Sequence, residues 1–121
     1  MESQVDGLLL CDDLIFTSRV TGTARDLGFT FKSARTVEEL RTHLLHEEPA
    51  CIILDLANPS LAIADLTSEL RKRDHSPRVI AYGSHVDTAT LKAARAVGCD
   101  EVLTRSRFVQ ELPGKLAGWV K

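Results

Sequence analysis

Short apolar runs alternate with amphipathic stretches along the chain, and this alternation predicts its secondary structure. Residues 8–11 and 51–54 are apolar at every position and too short for helices, which predicts two strands buried on both faces. Residues 29–33, 79–82 and 102–103 predict three more short strands. Each run is bounded by aspartate, glycine or another polar residue, so five separate strands are expected.

Between and after these strands, apolar residues recur at helical spacing. Thr36 followed by Glu39 is a capping box that predicts the start of the second helix, and Asp87 is placed to cap the fourth. Gly28 and Gly98 are placed to end the first and fourth helices. The expected buried positions are Ile15, Val20, Ala24 and Leu27 on the first helix, Val37, Leu40, Leu44 and Leu45 on the second, and Ile63, Leu66 and Leu70 on the third.

Five strand–helix units predict an α/β fold with a parallel sheet covered by helices on both faces. The last helix is predicted over residues 108–120, although Pro113, Gly114 and Gly118 disfavour helical structure there. A chain of 121 residues accommodates one core, so residues 1–121 are interpreted as a single domain.

Composition narrows the classes of function. The chain carries 15 basic and 17 acidic residues, a formal charge of −2 that offers no broad positive field for nucleic acid or anionic lipid. No apolar stretch has the length of a membrane span or a signal sequence, which favours a cytoplasmic protein. Cys11, Cys51 and Cys99 lie far apart in sequence, so free thiols that pack as small hydrophobic residues are expected.

Acidic residues follow two of the predicted strands. Asp12 and Asp13 end the first strand, and Asp55 ends the third. Because function in parallel sheets gathers at the carboxyl ends of strands, these carboxylates are expected to share one crevice if the strands are neighbours. Such a cluster indicates a magnesium site that would make one carboxylate competent to accept a phosphoryl group. The alternative interpretation is that the aspartates only terminate strands and cap helices.

Three segments together resemble the receiver domain of bacterial response regulators. They are Leu-Leu-Leu-Cys-Asp-Asp at residues 8–13, Ile-Ile-Leu-Asp-Leu-Ala-Asn-Pro at residues 52–59, and Ala-Val-Gly-Cys-Asp-Glu-Val-Leu-Thr-Arg at residues 96–105. The resemblance covers nearly the whole chain and implies a flavodoxin-like, doubly wound sheet with strand order 2-1-3-4-5.

The resemblance also implies roles for individual residues. Asp55, four residues before Pro59, corresponds to the phosphorylated aspartate, and the main-chain carbonyl of Ala57 would help to hold Mg²⁺. The acidic pair Asp12 and Asp13 corresponds to the family's magnesium ligands. Asp13 is the preferred ligand in one alignment; in the other, Cys11 takes the first acidic position and Asp12 the second.

The chain departs from the family pattern at three positions. Gly83 stands where receivers carry a serine or threonine, and Ser84 could supply the hydroxyl only through a shift of one residue. Arg105 replaces the family's lysine without the following proline, and a guanidinium differs from an ammonium in shape and hydration. Val102 replaces the aromatic switch residue, so any readout of phosphorylation is expected to differ from the usual one.

Three functional hypotheses follow. The first is a receiver-like signalling domain, phosphorylated on Asp55 by a histidine kinase or phosphotransfer protein, with at most self-phosphorylation and dephosphorylation as chemistry. Its output would be contacts with a downstream protein, or a homodimer, through the fourth helix, fifth strand and last helix. The second is a pseudo-receiver that binds partners without phosphorylation, and the third is a small flavodoxin-like enzyme or ligand-binding domain. The sequence does not assign a role to His85, which is expected to face the acidic crevice. It also does not decide whether Trp119 packs in the core or lies on a partner surface.

Overall fold

The computed structural model describes residues 5–121 and shows five strands alternating with five helices. The predicted β-α alternation is therefore confirmed along the described chain. The strands are β1 (Gly7–Leu10), β2 (Phe31–Ala34), β3 (Cys51–Asp55), β4 (Arg78–Gly83) and β5 (Glu101–Thr104). The helices are α1 (Leu14–Asp26), α2 (Val37–Leu44), α3 (Ile63–Arg71), α4 (Thr88–Ala96) and α5 (Arg105–Trp119).

The strands form one parallel sheet in the order β2-β1-β3-β4-β5, as the resemblance implied. β1 and β3 lie side by side at the centre and are buried at every position, which explains the uninterrupted apolar runs at residues 8–10 and 51–54. One core layer packs α1 and α5 against the sheet, and the other packs α2, α3 and α4 against its opposite face. The strand order reverses between β1 and β3, which places their carboxyl ends beside the crevice where ligands bind in such sheets.

Local capping fixes where the helices begin and end. Thr36 caps α2 as predicted, accepting a hydrogen bond from Glu39 N–H, but the Glu39 side chain accepts its bond from Arg35 N–H, one residue before the cap, rather than from Thr36 as in a standard capping box. Asp87 caps α4, as expected. Gly28 and Gly98 follow α1 and α4 with φ of 88° and 92°, a left-handed conformation that glycine adopts without strain.

Three expected core positions are wrong. Ile15 is 85% exposed and Leu27 is 43% exposed, because the buried face of α1 follows Phe16, Val20 and Ala24 at intervals of four residues. Leu45 is 79% exposed because it lies beyond the last turn of α2, whereas Leu44 remains in the core.

The last helix is longer than expected. α5 begins directly after β5 because Thr104 caps it, accepting a hydrogen bond from Arg107 N–H. Pro113 lies inside the helix, and a buried stripe keeps the helix against the sheet despite its low intrinsic preference. That stripe consists of Phe108, Leu112, Leu116 and Trp119.

The cysteines are free, as predicted, and Cys11 and Cys51 are fully buried. Burial raises the pKa of the Cys51 thiol to about 12, so this side chain stays neutral and packs as a small hydrophobic residue. None of the helices within residues 5–121 combines the length and apolar character needed to cross a membrane.

Candidate functional site

A cleft of about 820 Å³ opens at the carboxyl ends of β3, β4 and β5, beside the start of α1. Its size is within the range typical of small-ligand sites. The cleft is lined by Asp13, Ile15, Phe16, Arg19, Asp55, Ala57, Tyr82, Gly83, Ser84, His85, Thr104, Arg105, Ser106 and Val109. All but one of the residues that the sequence proposed for the site therefore border it, and the exception is Asp12.

Asp55 is the last residue of β3 and is only 6% exposed, although it borders the cleft. Its Oδ1 accepts a hydrogen bond from the Ala57 N–H at 2.9 Å. Burial raises the pKa of Asp55 above its usual value, while the Ala57 N–H and the Arg105 charge oppose that rise. The Asp12 charge raises the Asp55 pKa further. The negative charge of Asp55 is therefore destabilised by burial, and the Ala57 amide and the Arg105 guanidinium offset part of that cost.

The loop that follows Asp55 is held by the buried side chain of Asn58. Its Nδ2 donates to the Arg35 carbonyl at 2.9 Å, and its Oδ1 accepts from Ser60 N–H and Ser60 Oγ. Ser60 Oγ also accepts from the first amide of α2, that of Val37, at 3.0 Å. These bonds fix the loop against the start of α2 and so fix the Ala57 amide on Asp55.

Asp13 serves as a helix cap and as one half of an ion pair. Its Oδ1 accepts hydrogen bonds from Ile15 N–H at 3.0 Å and Phe16 N–H at 3.1 Å. Its Oδ2 accepts one from Arg105 Nη2 at 3.2 Å. The Phe16 amide and the Arg105 guanidinium hold the pKa of Asp13 below its usual value. Both oxygens of Asp13 are therefore engaged by groups of the protein itself.

Arg105 borders the cleft, and its side chain is about half exposed. Besides its pairing with Asp13, its guanidinium carbon lies 4.2 Å from the centroid of the Phe16 ring, a cation–π contact. A guanidinium has five N–H donors, so this arrangement leaves donors that can reach a ligand in the cleft. The position of Arg105 agrees with its predicted place at the site.

Asp12 is exposed and forms no hydrogen bond or ion pair among the described residues. The expected cluster of three carboxylates is wrong in the form predicted: residues 5–121 contain no group of three or more His, Cys, Asp or Glu side chains arranged to hold a metal ion. The physical reason is that Asp13 is turned toward α1 and Arg105. The charge of Asp12 nevertheless acts on Asp55.

Gly83 ends β4 and contributes no side chain to the cleft. A Cβ atom at this position would lie 3.3 Å from Leu56 Cδ1 and 3.4 Å from Leu91 Cδ2, so a serine would fit only with a small movement of flexible side chains. Ser84 borders the cleft, and its Oγ accepts a hydrogen bond from Val86 N–H at 3.3 Å. His85 also borders the cleft, as the sequence suggested.

Sequence reasoning missed the aromatic floor of the cleft. Tyr82 lies with its ring centroid 4.7 Å from that of Phe108 and 5.0 Å from that of Phe16. Trp119 also stacks on Phe108 and is only 6% exposed, so it lies in the core rather than on a partner surface. The sequence predicts Tyr82 only as part of an apolar strand. Its position next to Gly83 is the one feature of the sequence that places it near the site.

Val102 lies in β5 on the other face of the sheet, half-buried against the core layer that contains α2, α3 and α4. It offers no ring that could move between buried and exposed positions. The aromatic groups of the described residues near the site belong instead to the layer of α1 and α5.

The raised pKa of Asp55 predicts a pH-dependent effect on stability. Burying the charged carboxylate destabilises the fold at neutral pH, and this cost disappears as the pH falls and Asp55 is protonated. Asp55→Asn removes the charge but keeps an oxygen for the Ala57 N–H. We expect a higher melting temperature for the variant at pH 7 and a smaller difference near pH 4. Thermal unfolding at several pH values tests this, and a variant that melts lower at pH 7 would contradict it.

Several solved structures with the same fold are similar to this chain over nearly the whole length of both chains. A response regulator receiver domain from Bermanella marisrubri is 24% identical, with a TM-score of 0.84 and coverage of 99% of this chain and 100% of the other. The orphan response regulator HP1043 of H. pylori is 11% identical, with a TM-score of 0.80 and full coverage of both chains. A response regulator described as putative, from Chloroflexus aurantiacus, is 17% identical, with a TM-score of 0.81 and 98% coverage of each chain. These likenesses establish the fold.

No curated protein matches the chain. The family model of the response regulator receiver domain matches residues 8–116, which include most of β1, the whole cleft and most of α5. The chain therefore belongs to the response regulator receiver domain family.

Proposed function

We propose that this receiver domain accepts a phosphoryl group on Asp55. The observation that carries the proposal is the setting of this one carboxylate: it borders the cleft, one oxygen is held by the Ala57 amide, and the charge of Arg105, which also borders the cleft, acts on it. A carboxylate whose charge is destabilised by burial gains from reacting with an electrophile. Cations beside it offset the negative charge of an incoming phosphoryl group.

The proposed reaction is the transfer of a phosphoryl group from an acyl phosphate or a phosphohistidine. Asp55 Oδ2, the oxygen that the Ala57 amide does not hold, attacks phosphorus. The bond between phosphorus and the leaving group breaks, and the leaving group departs with the electron pair. Asp55 then carries an acyl phosphate, and the cleft has gained charge that Arg105 can balance.

The residues present fit a magnesium ion with few protein ligands. Mg²⁺ commonly binds through one or two carboxylates and keeps several waters, so a set of three carboxylates is not required. We infer that Asp12, Asp55 and the Ala57 carbonyl would hold it, because both oxygens of Asp13 are already engaged. When bound, the ion would neutralise charge on the transferring oxygens. This inference favours Asp12 over Asp13, the reverse of the preference from sequence.

In this proposal the domain works as a signalling element rather than as an enzyme with its own substrate. Its phosphodonor would be a histidine kinase or a phosphotransfer protein in the cytoplasm. The phosphorylated form would act on a downstream protein, or pair with a second copy, through the face of α4, β5 and α5. Self-phosphorylation from small donors and hydrolysis of the acyl phosphate would be its only reactions.

Two observations favour a second candidate, a pseudo-receiver that binds partners without being phosphorylated. Arg105 holds Asp13 in an ion pair, and Gly83 offers no hydroxyl to a phosphoryl oxygen. In such a domain the ion pair would serve as a fixed part of the surface.

Intact-mass spectrometry separates the two candidates. The protein is incubated with acetyl phosphate and MgCl₂, with an ordinary receiver domain treated in parallel. We expect a gain of one phosphoryl group that depends on the donor and on Mg²⁺. If the ordinary receiver is labelled and this protein is not, the pseudo-receiver is correct and phosphorylation of Asp55 is rejected.

A further inference from the structure

The hydroxyl group of Tyr82 is buried without a partner. Tyr82 is fully buried, and its Oη makes no hydrogen bond among the described residues. Phe108 stacks on its ring and Phe16 contacts the ring at a tilt, and together they hold the side chain in place. An unpaired hydroxyl in a protein interior is unfavourable, and such exceptions often mark a functional site.

This hydroxyl belongs to the same site as Asp55. The two residues are directly paired across β3 and β4, so their side chains project from the same face of the sheet. Both border the cleft. The Tyr82 hydroxyl lies close enough to the Asp55 carboxylate to lower its pKa, but without the geometry of a hydrogen bond, and the Asp55 charge in turn raises the pKa of Tyr82.

Tyr82 keeps its proton at any physiological pH. Burial raises the pKa of the phenol far above its ordinary value, and the nearby Cys11 thiol and Asp55 charge raise it further. The hydroxyl is therefore available as a hydrogen-bond donor. The next residue, Gly83, carries no donor side chain of its own.

We infer that Tyr82 is a catalytic residue whose hydroxyl donates a hydrogen bond to a phosphoryl oxygen during transfer to Asp55, the role that Gly83 cannot fill. The inference rests on the proposed phosphorylation of Asp55. A donor without a partner before the reaction, and with one while the phosphoryl group is transferred, stabilises the transition state more than the ground state.

The bonds that change are those already described for Asp55. Its Oδ2 forms a bond to phosphorus, and the bond from phosphorus to the leaving group breaks, with acetate leaving when acetyl phosphate is the donor. Tyr82 gives up no proton. Its O–H turns from an unpaired group into a donor to one of the three oxygens that the phosphoryl group brings to the cleft.

The substitution Tyr82→Phe tests the inference because it removes only the hydroxyl and keeps the stacked ring. We expect the variant to be phosphorylated by acetyl phosphate at least about 10-fold more slowly than wild type, from the loss of one preorganised donor. We also expect its melting temperature to be unchanged or higher, since an unpaired buried hydroxyl is removed. A residue with a purely structural role would not combine slower transfer with equal or greater stability.

Thr67→Val is the matched control. Thr67 lies in α3 and is also a buried residue whose hydroxyl makes no hydrogen bond among the described residues, but it is not part of the cleft. This variant should be phosphorylated at the wild-type rate. If wild type is labelled and Tyr82→Phe is labelled equally fast, the role of Tyr82 is rejected while phosphorylation of Asp55 stands. If wild type gains no phosphoryl group, the proposed function is rejected, and the role of Tyr82 with it.

Discussion

Asp55→Asn is expected to abolish phosphorylation by acetyl phosphate, with no gain of mass over the time in which wild type is fully labelled. Asparagine retains an oxygen for the Ala57 amide, so the loop and the cleft should keep their form. What it loses is the negative oxygen that attacks phosphorus. The amide nitrogen is not a nucleophile of comparable strength, so a complete loss is expected rather than a slower reaction.

Asp65→Asn provides the matched control for this experiment. Asp65 is exposed in the first turn of α3, outside the cleft, and its substitution makes the same chemical change. It should be labelled at the wild-type rate. If Asp55→Asn still gained a phosphoryl group, another residue would be the acceptor and the proposed chemistry would be wrong.

Phe108→Ala is expected to lower the free energy of unfolding by about 3–5 kcal/mol, more than any other substitution proposed for this protein. Phe108 is fully buried, and its ring contacts those of Tyr82, Phe16 and Trp119. Removing it leaves a cavity between α5 and the sheet that these rings cannot fill without moving. Urea unfolding followed by circular dichroism measures the change.

The control for this prediction is Phe29→Ala, which removes an equally large ring that is only partly buried at the margin of the same core layer. Its effect on the free energy of unfolding should be clearly smaller. An equal loss in both variants would show that the aromatic cluster around Phe108 is not the centre of this layer.

The central part of the fold was predictable because its physical causes are local. β1 and β3 are buried on both faces, and short, continuous apolar runs are typical of such strands. The capping residues Thr36 and Asp87 marked helix starts for a similar reason: their side chains satisfy amides of their own first turn. Where prediction depended on which helix face meets the sheet, it was less accurate, as Ile15 shows.

The site was predictable in its members but not in its arrangement. The sequence predicted one edge of the sheet as the location of four site residues, and all four border the cleft: Asp55, Gly83, Ser84 and Arg105. It could not decide between the two functions of an aspartate at a strand end, metal ligand or helix cap. That choice depends on where α1 begins, and the structure shows Asp13 as the cap.

The contribution of Tyr82 and Phe16 to the site could not be predicted from sequence patterns, for a different reason. Their contribution arises from contacts between β4, α1 and α5, which are distant in sequence. An apolar strand that contains a tyrosine does not indicate whether its hydroxyl finds a partner. The missing partner is a property of the packed core.

The most direct test of the account is to locate the phosphoryl group after labelling with acetyl phosphate and Mg²⁺. Borohydride reduces an aspartyl phosphate to homoserine, which peptide mass spectrometry can assign to one residue. We expect homoserine at position 55 and unmodified aspartate at positions 12 and 13. Homoserine at either of those two positions, or a labelled protein in which residue 55 remains aspartate, would contradict it.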